Sequence, residues 1–338
     1  MTAPLTASPE EVDAPFHRIV DELTRRGFLA GGLGAAALAG LAGCGAGDQP
    51  SGGGAPTAGP WTFTDDRGQR ISLPARPERV VAFIDCAAAL AGDGIAPVGY
   101  FGATGPTDPR NGAFDVAASQ SVGTSEIDLE KLAALRPDLI VSNSWFADSA
   151  PNVINKAEAT VARIAPVAVV SMLHRGVPRI VARYRELAVA LGAPESASDE
   201  SAYTRAGAAV REAAGAGLRV LVVYNHNDEG VWIADPDYWP FTQTLGELGL
   251  TMVRPGAANG DPVINVSWEL LDQLDVDVIL NQDTTIAASE QPTWLRMPAV
   301  AAGQVVAQDS AWYCFSYETY ARLFTDLADD LRRMRPLT

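Results

Sequence analysis

The sequence predicts an α/β protein built as two Rossmann-like lobes, each on a mostly parallel sheet, joined by a single long α-helix. Three observations predict it. From Trp61 onward, short β-branched runs alternate with helical patterns, the mark of α/β units. The alternation occurs in both halves of the chain. Between the halves, residues 194–214 carry no strand-like run, are rich in Ala, Ser, Glu and Arg, and have only Gly207 as an internal breaker.

In the first half the expected strands are residues 79–84, 97–101, 138–142 and 166–170. Residues 128–135 space Leu129, Leu132, Ala133 and Leu135 as one helix face, with Asp128 as N-cap. In the second half the expected strands are 218–224, 250–253, 276–280 and 304–307. Val266-Ser267-Trp268-Glu269-Leu270-Leu271 leads into residues 276–280 much as Ile127-Asp128-Leu129-Glu130-Lys131-Leu132 leads into 138–142. The connecting segment reads as one rod of about 30 Å at 1.5 Å per residue, which limits the two halves to small hinge motions.

A chain of 338 residues has room for two core-bearing units. Its 41 acidic against 25 basic residues give a net charge of -16, which repels nucleic acid and anionic headgroups. Nucleic-acid partners are therefore excluded.

The first residues read as an address. Paired Arg25 and Arg26 before Gly-Phe-Leu resemble a twin-arginine export motif, and Ala30 to Ala42 is an uncharged run too short and too rich in Gly and Ala to span a membrane. Leu41-Ala42-Gly43-Cys44 resembles the lipobox of bacterial lipoproteins. Residues 1–43 are thus expected to be a signal peptide, Cys44 the lipid-bearing residue, 44–60 a flexible Gly/Ala/Pro tether, 61–193 and 215–338 the lobes, and 194–214 the interlobe helix. The mature chain keeps 22 basic and 36 acidic residues, a net charge of -14. Cys86 and Cys314 fall in opposite halves, and a bond between them would hinder opening, so both are expected as free, buried thiols.

Pro77-Glu78-Arg79-Val80-Val81, Gly94 through Tyr100, Asp128-Leu129-Glu130-Lys131-Leu132-Ala133-Ala134-Leu135-Arg136-Pro137-Asp138-Leu139-Ile140, Ile164-Ala165-Pro166-Val167, Leu245-Gly246-Glu247-Leu248-Gly249-Leu250 and Asp275 through Leu280 follow one another in a specific order. In that order the chain resembles the bacterial periplasmic-binding proteins for iron-siderophores, haem and cobalamin, across residues 61 to 338. The resemblance implies a ligand cleft between the lobes, at the carboxyl ends of their strands, as open α/β sheets generally place it. It implies delivery of the ligand, unchanged, to an ABC permease and its ATPase; with the lipobox, the protein is expected as an extracytoplasmic monomer anchored to the cell membrane by lipid on Cys44. By the same resemblance Glu130 and Glu269, one per half, dock onto permease arginines.

Ligand contacts are then expected from loops after strands: Trp145 and Phe146, His174 and Arg175, Tyr224, Tyr238 and Trp239, and Trp312 and Tyr313. A ferric siderophore is a bulky chelate whose iron is already coordinated, so it needs aromatic walls and a few donors rather than protein metal ligands or a cofactor. Arg175 suits the ligand's oxygens, and a single well-placed arginine favours neutral or cationic hydroxamate complexes over highly anionic catecholates. Haem, ligated by His174 or by Tyr224, Tyr238 or Tyr313, and cobalamin are the rivals within the binding class. Two histidines in the mature chain are too few for a bare zinc or manganese site. The chain has no Gly-x-Ser-x-Gly, Walker or dinucleotide motif, which leaves an enzyme only as a hydrolase with an unmarked site.

Overall fold

The computed structural model describes residues 59–145, 151–154, 156–195, 200–256, 262–282 and 291–337. Arg25, Arg26, Cys44 and Phe146 lie outside the described residues. The described chain opens with an antiparallel hairpin, Trp61–Thr64 (β1) and Arg70–Leu73 (β2), in which Trp61 faces Leu73. Val80–Phe83 (β3) follows with all four residues buried, as a central strand covered on both faces requires. It runs directly into Ile84–Gly92 (α1), and Gly99–Phe101 (β4) and Gln120–Ser121 (β5) extend the sheet on one side.

Leu129–Ala134 (α2) starts where the sequence places it. The Asp128 carboxylate caps it by accepting the amides of Glu130 and Lys131. Leu139–Ser144 (β6), Glu158–Val161 (α3) and Val167–Ser171 (β7) complete a five-stranded, wholly parallel sheet ordered β5-β4-β3-β6-β7.

The linker differs from the single 194–214 rod. Two helices occupy the region, Val177–Ala190 (α4) and Ser201–Ala214 (α5), and the first does the bridging. Its buried stripe, Val177, Ile180, Val181, Tyr184, Leu187 and Ala188, follows helical spacing, and it packs against α1 and β7 of the first half. Pro178 stands in its first turn, and its leading amide, that of Val177, donates to the Thr244 hydroxyl of the second half at 2.8 Å. Gly192 stops it in the left-handed conformation at φ +99, where a Cβ would collide with the Arg76 guanidinium, and Pro194 cannot resume it. The polar 194–214 stretch therefore begins after the bridge, and α5 instead packs along the last helix of the chain.

In the second half come Arg219–His226 (β8), Gly230–Ala234 (β9), Pro240–Glu247 (α6), Thr251–Met252 (β10) and Val263–Ser267 (β11). Trp268–Leu271 (α7), Val278–Asn281 (β12), Pro292–Arg296 (α8), Pro298–Ala301 (α9), Val305–Ala307 (β13) and Tyr317–Leu331 (α10) follow. The sheet order is β11-β9-β8-β12-β13, with β10 also paired to β8. β8, β10, β12 and β13 are parallel, as the sequence suggests, but β9 and β11 run antiparallel, so this sheet is mixed. The structure is thus two α/β lobes.

One continuous hydrophobic cluster runs from the first sheet through α1, α4 and α10 to one face of the second sheet, and a smaller cluster covers that sheet's other face. Tyr184 of α4 stacks on Phe315, ring centres 6.4 Å apart, inside the shared core. Close-packed interiors resist sliding, so the lobes are tied along their back. Cys86 and Cys314 are free and buried; Cys86 lies 3.3 Å from the Tyr184 hydroxyl.

Candidate functional site

The parallel strands of both lobes point their carboxyl ends at one cavity of about 650 Å³. Phe83 and Asp85 reach it from the β3–α1 junction, Trp145 from the end of β6, Gln282 from β12, and Gln308, Asp309, Ser310 and Tyr313 from the loop after β13. The topology that makes the sheets also makes the site. Tyr224 enters through an irregularity: the β8–β9 register shifts between Val223 and Asn225, leaving Tyr224 as the extra residue of a bulge. A bulge re-aims a side chain that regular pleating would point elsewhere.

Four aromatic rings form the wall. Trp239 stands 4.9 Å from Trp145, 5.1 Å from Tyr224 and 5.9 Å from Tyr313, and Trp145 is 6.3 Å from Tyr313. Trp239 is fixed at the N-cap of α6, its indole N–H donating to the Pro262 carbonyl at 2.5 Å. Such a box gives a large flat contact area with little side-chain freedom to lose.

The polar floor is incompletely paired. Arg110 sits 5.4 Å over the Tyr313 ring, and its Nε stands 3.8 Å from Asp85 Oδ1. Neither of those two atoms has a hydrogen-bond partner, although both are buried. Asp85 Oδ2 accepts from Asn143 at 3.4 Å. Burial pushes the Asp85 carboxyl up to about 6, with Arg110 and Asn143 pulling it the other way. Opposite, Gln282 accepts from the Tyr313 hydroxyl at 3.0 Å while its amide nitrogen is unpaired, and both polar atoms of Gln308 are unpaired. Buried polar groups without partners are costly, so their concentration in one cavity marks a place shaped for an incoming molecule. Among the described residues no cluster of three His, Cys, Asp or Glu is arranged to hold a metal ion.

Of the residues singled out in the sequence, the structure brings Trp145, Tyr224, Trp239 and Tyr313 together in the cleft. Trp312 lies elsewhere, 3% exposed and 5.1 Å from Phe241, where it anchors the loop that carries Tyr313. Arg175 is engaged by Asp66 at 2.6 Å, and Asp66 also holds Arg183, so its guanidinium staples the β7–α4 loop to the hairpin rather than facing the cleft. His174, with φ +49, contacts the Asp237 carbonyl at 2.8 Å, and its ring lies tilted 4.5 Å from that of Tyr238, joining the lobes. Loop position alone does not separate these uses.

Sequence reasoning missed Asp85, Arg110, Gln282 and Gln308. Asp85, Gln282 and Gln308 carry a usable signal, since each follows a strand within two residues, the same positions that mark the aromatic candidates. Arg110, in a short 3-10 turn within a long loop, carried none.

Glu130 and Glu269 occupy the first turns of α2 and α7, both exposed. Negative charge there complements the helix N-terminus. The backbone amide of Glu269 and the Ser267 hydroxyl hold its carboxyl below the usual range.

DesE, a ferric-siderophore receptor protein from Streptomyces coelicolor, is 29% identical with a TM-score of 0.74, covering 82% of this chain and 100% of its own. Staphylococcus aureus SirA, complexed with staphyloferrin B, is 20% identical with a TM-score of 0.61 over 82% of this chain and 99% of its own. The Fe3+-Desferal-bound siderophore binding protein FhuD of Vibrio cholerae is 22% identical with a TM-score of 0.57 over 75% and 97%. At the identities of the last two, the likeness is one of fold. No curated protein matches by sequence. A family model described as periplasmic binding protein matches residues 102–311, taking in part of the first sheet, the second sheet and most of the cleft lining. With two lobes, a bridging helix and a cleft at the strand ends, the chain belongs to the periplasmic binding protein family.

Proposed function

We propose that this protein captures a ferric siderophore, of hydroxamate type, in the cleft and delivers it unchanged to an ABC permease from the outer face of the cell membrane. The observation that carries the reading is the box of Trp145, Tyr224, Trp239 and Tyr313 standing over unpaired polar atoms of Asp85, Arg110, Gln282 and Gln308. A chelate presents an apolar shell with oxygens and amides at its rim, and such a surface is matched by flat walls and a few fixed hydrogen-bonding groups. The similar DesE, a ferric-siderophore receptor, and FhuD, a siderophore binding protein bound to Fe3+-Desferal, support the same class. Lipid on Cys44 and export through Arg25 and Arg26 supply the location, and Glu130 and Glu269 the orientation on the permease.

The test is a titration of the purified protein with ferric Desferal, a ferric triscatecholate and haem, followed by tryptophan fluorescence. Saturable quenching by ferric Desferal at sub-micromolar concentration is expected. A response to haem alone, with a shifted Soret band, would replace the siderophore by haem.

A further inference from the structure

Beneath the aromatic box the charges do not balance. The described lining holds two carboxylates, Asp85 and Asp309, against one guanidinium, Arg110. Asp85 is 3% exposed, and its Oδ1 has no hydrogen-bond donor within reach in the protein. Arg110 does not neutralise it fully: the closest approach is 3.8 Å through Nε, while another guanidinium nitrogen, Nη1, is turned to the Ala103 carbonyl. A carboxylate kept dry, half-paired and open to a ligand cavity is costly unless something positive arrives beside it.

We infer that Asp85 is a specificity-determining residue that selects a chelate carrying a positively charged pendant group, which docks against Oδ1 at the floor of the cleft. The inference rests on the siderophore reading of the site and narrows it. Three features carry it together: the unpaired buried oxygen, the excess of carboxylates in the lining, and the loose contact with Arg110. A pendant ammonium supplies both the missing charge and the missing donor, whereas a neutral amide supplies a donor only. Highly anionic chelates are rejected by the same carboxylate.

The experiment compares two probes that differ at one nitrogen: ferric desferrioxamine B, whose terminal amine is protonated, and ferric N-acetyl-desferrioxamine B, in which that charge is gone. Both are titrated against the mature lipoprotein in detergent and against its Asp85→Asn variant, whose folding is checked by thermal unfolding. In the native protein the cationic complex is expected to bind about tenfold to a hundredfold more tightly than the acetylated one, the range of a hydrogen bond to a charged group. In Asp85→Asn that ratio falls to near one. Equal affinities in the native protein, a measurement that does not depend on the variant, would overturn the inference and leave the siderophore reading standing. A ratio unchanged in Asp85→Asn would overturn it as well. Failure of both complexes to bind the native protein would remove the hydroxamate-siderophore reading and the inference with it.

Discussion

The indole of Trp145 stands 4.9 Å, centre to centre, from that of Trp239, with the planes tilted by 44°. One ring comes from the end of β6 in the first lobe and the other from the start of α6 in the second, so the pair is a clasp across the cleft. Replacing either by Ala should weaken binding of ferric Desferal about tenfold to a hundredfold, the scale of an aromatic anchor. Trp312→Ala should act differently. Its ring fills the core against Phe241, Tyr320 and Phe324, so the expected loss is about 3–5 kcal/mol of folding stability. Isothermal titration and chemical denaturation of all three variants separate the two roles.

Asp85 should make stability depend on pH. Its folded carboxyl titrates at about 6, above the unfolded value, because burial disfavours the charge. The native state therefore binds the proton more tightly than the unfolded state, and this contribution to stability is present below about pH 4 and lost as pH rises through 6. The charged groups acting on it are Arg110, which lowers its pKa, and Asp108, which raises it. Asp85→Asn should be the more stable form at pH 7.5, by on the order of 3 kcal/mol, with the gap closing near pH 4. An equal gap at both pH values would show that the carboxyl is not titrating as described.

Glu130→Arg and Glu269→Arg should leave ligand capture intact while reducing uptake by whole cells, because both carboxylates are exposed and lie away from the cleft lining. Each should shift stability by no more than about 0.5 kcal/mol. Docking through two separated charges should also weaken with added salt. Radiolabelled iron uptake beside a binding assay on the purified variants checks both parts.

Much of this fold was legible in the residues. The buried strand β3 announces itself as an unbroken apolar run and β6 opens with one, Leu139-Ile140-Val141, and the Asp128 cap of α2 is a local contact that sequence reading captures. The antiparallel β9 and β11 were not legible, because their pairing is decided by distant partners. The bridge lies before the expected rod for a local reason: Gly192 and Pro194 punctuate the end of α4, and the rod expected from Pro194 onward begins only after that stop. In the site, aromatics were the visible half. Asp85 and Gln308 are marked in the sequence by their place after a strand, but their unpaired atoms, and the part that Arg110 plays, are not shown by a sequence.

The leader has its own test. Cys44→Ala should release the protein from membranes into the extracytoplasmic fluid, and Arg25→Lys with Arg26→Lys should hold the precursor inside the cell. Fractionation with immunoblotting reads both.

The most direct test is to incubate the purified protein with ferric Desferal, measure the dissociation constant and stoichiometry, and recover the ligand for mass spectrometry. One chelate per chain, held at sub-micromolar affinity and returned chemically unaltered, is the predicted result. No binding, or recovery of a cleaved ligand, would contradict the claim that this cleft captures and delivers a ferric siderophore.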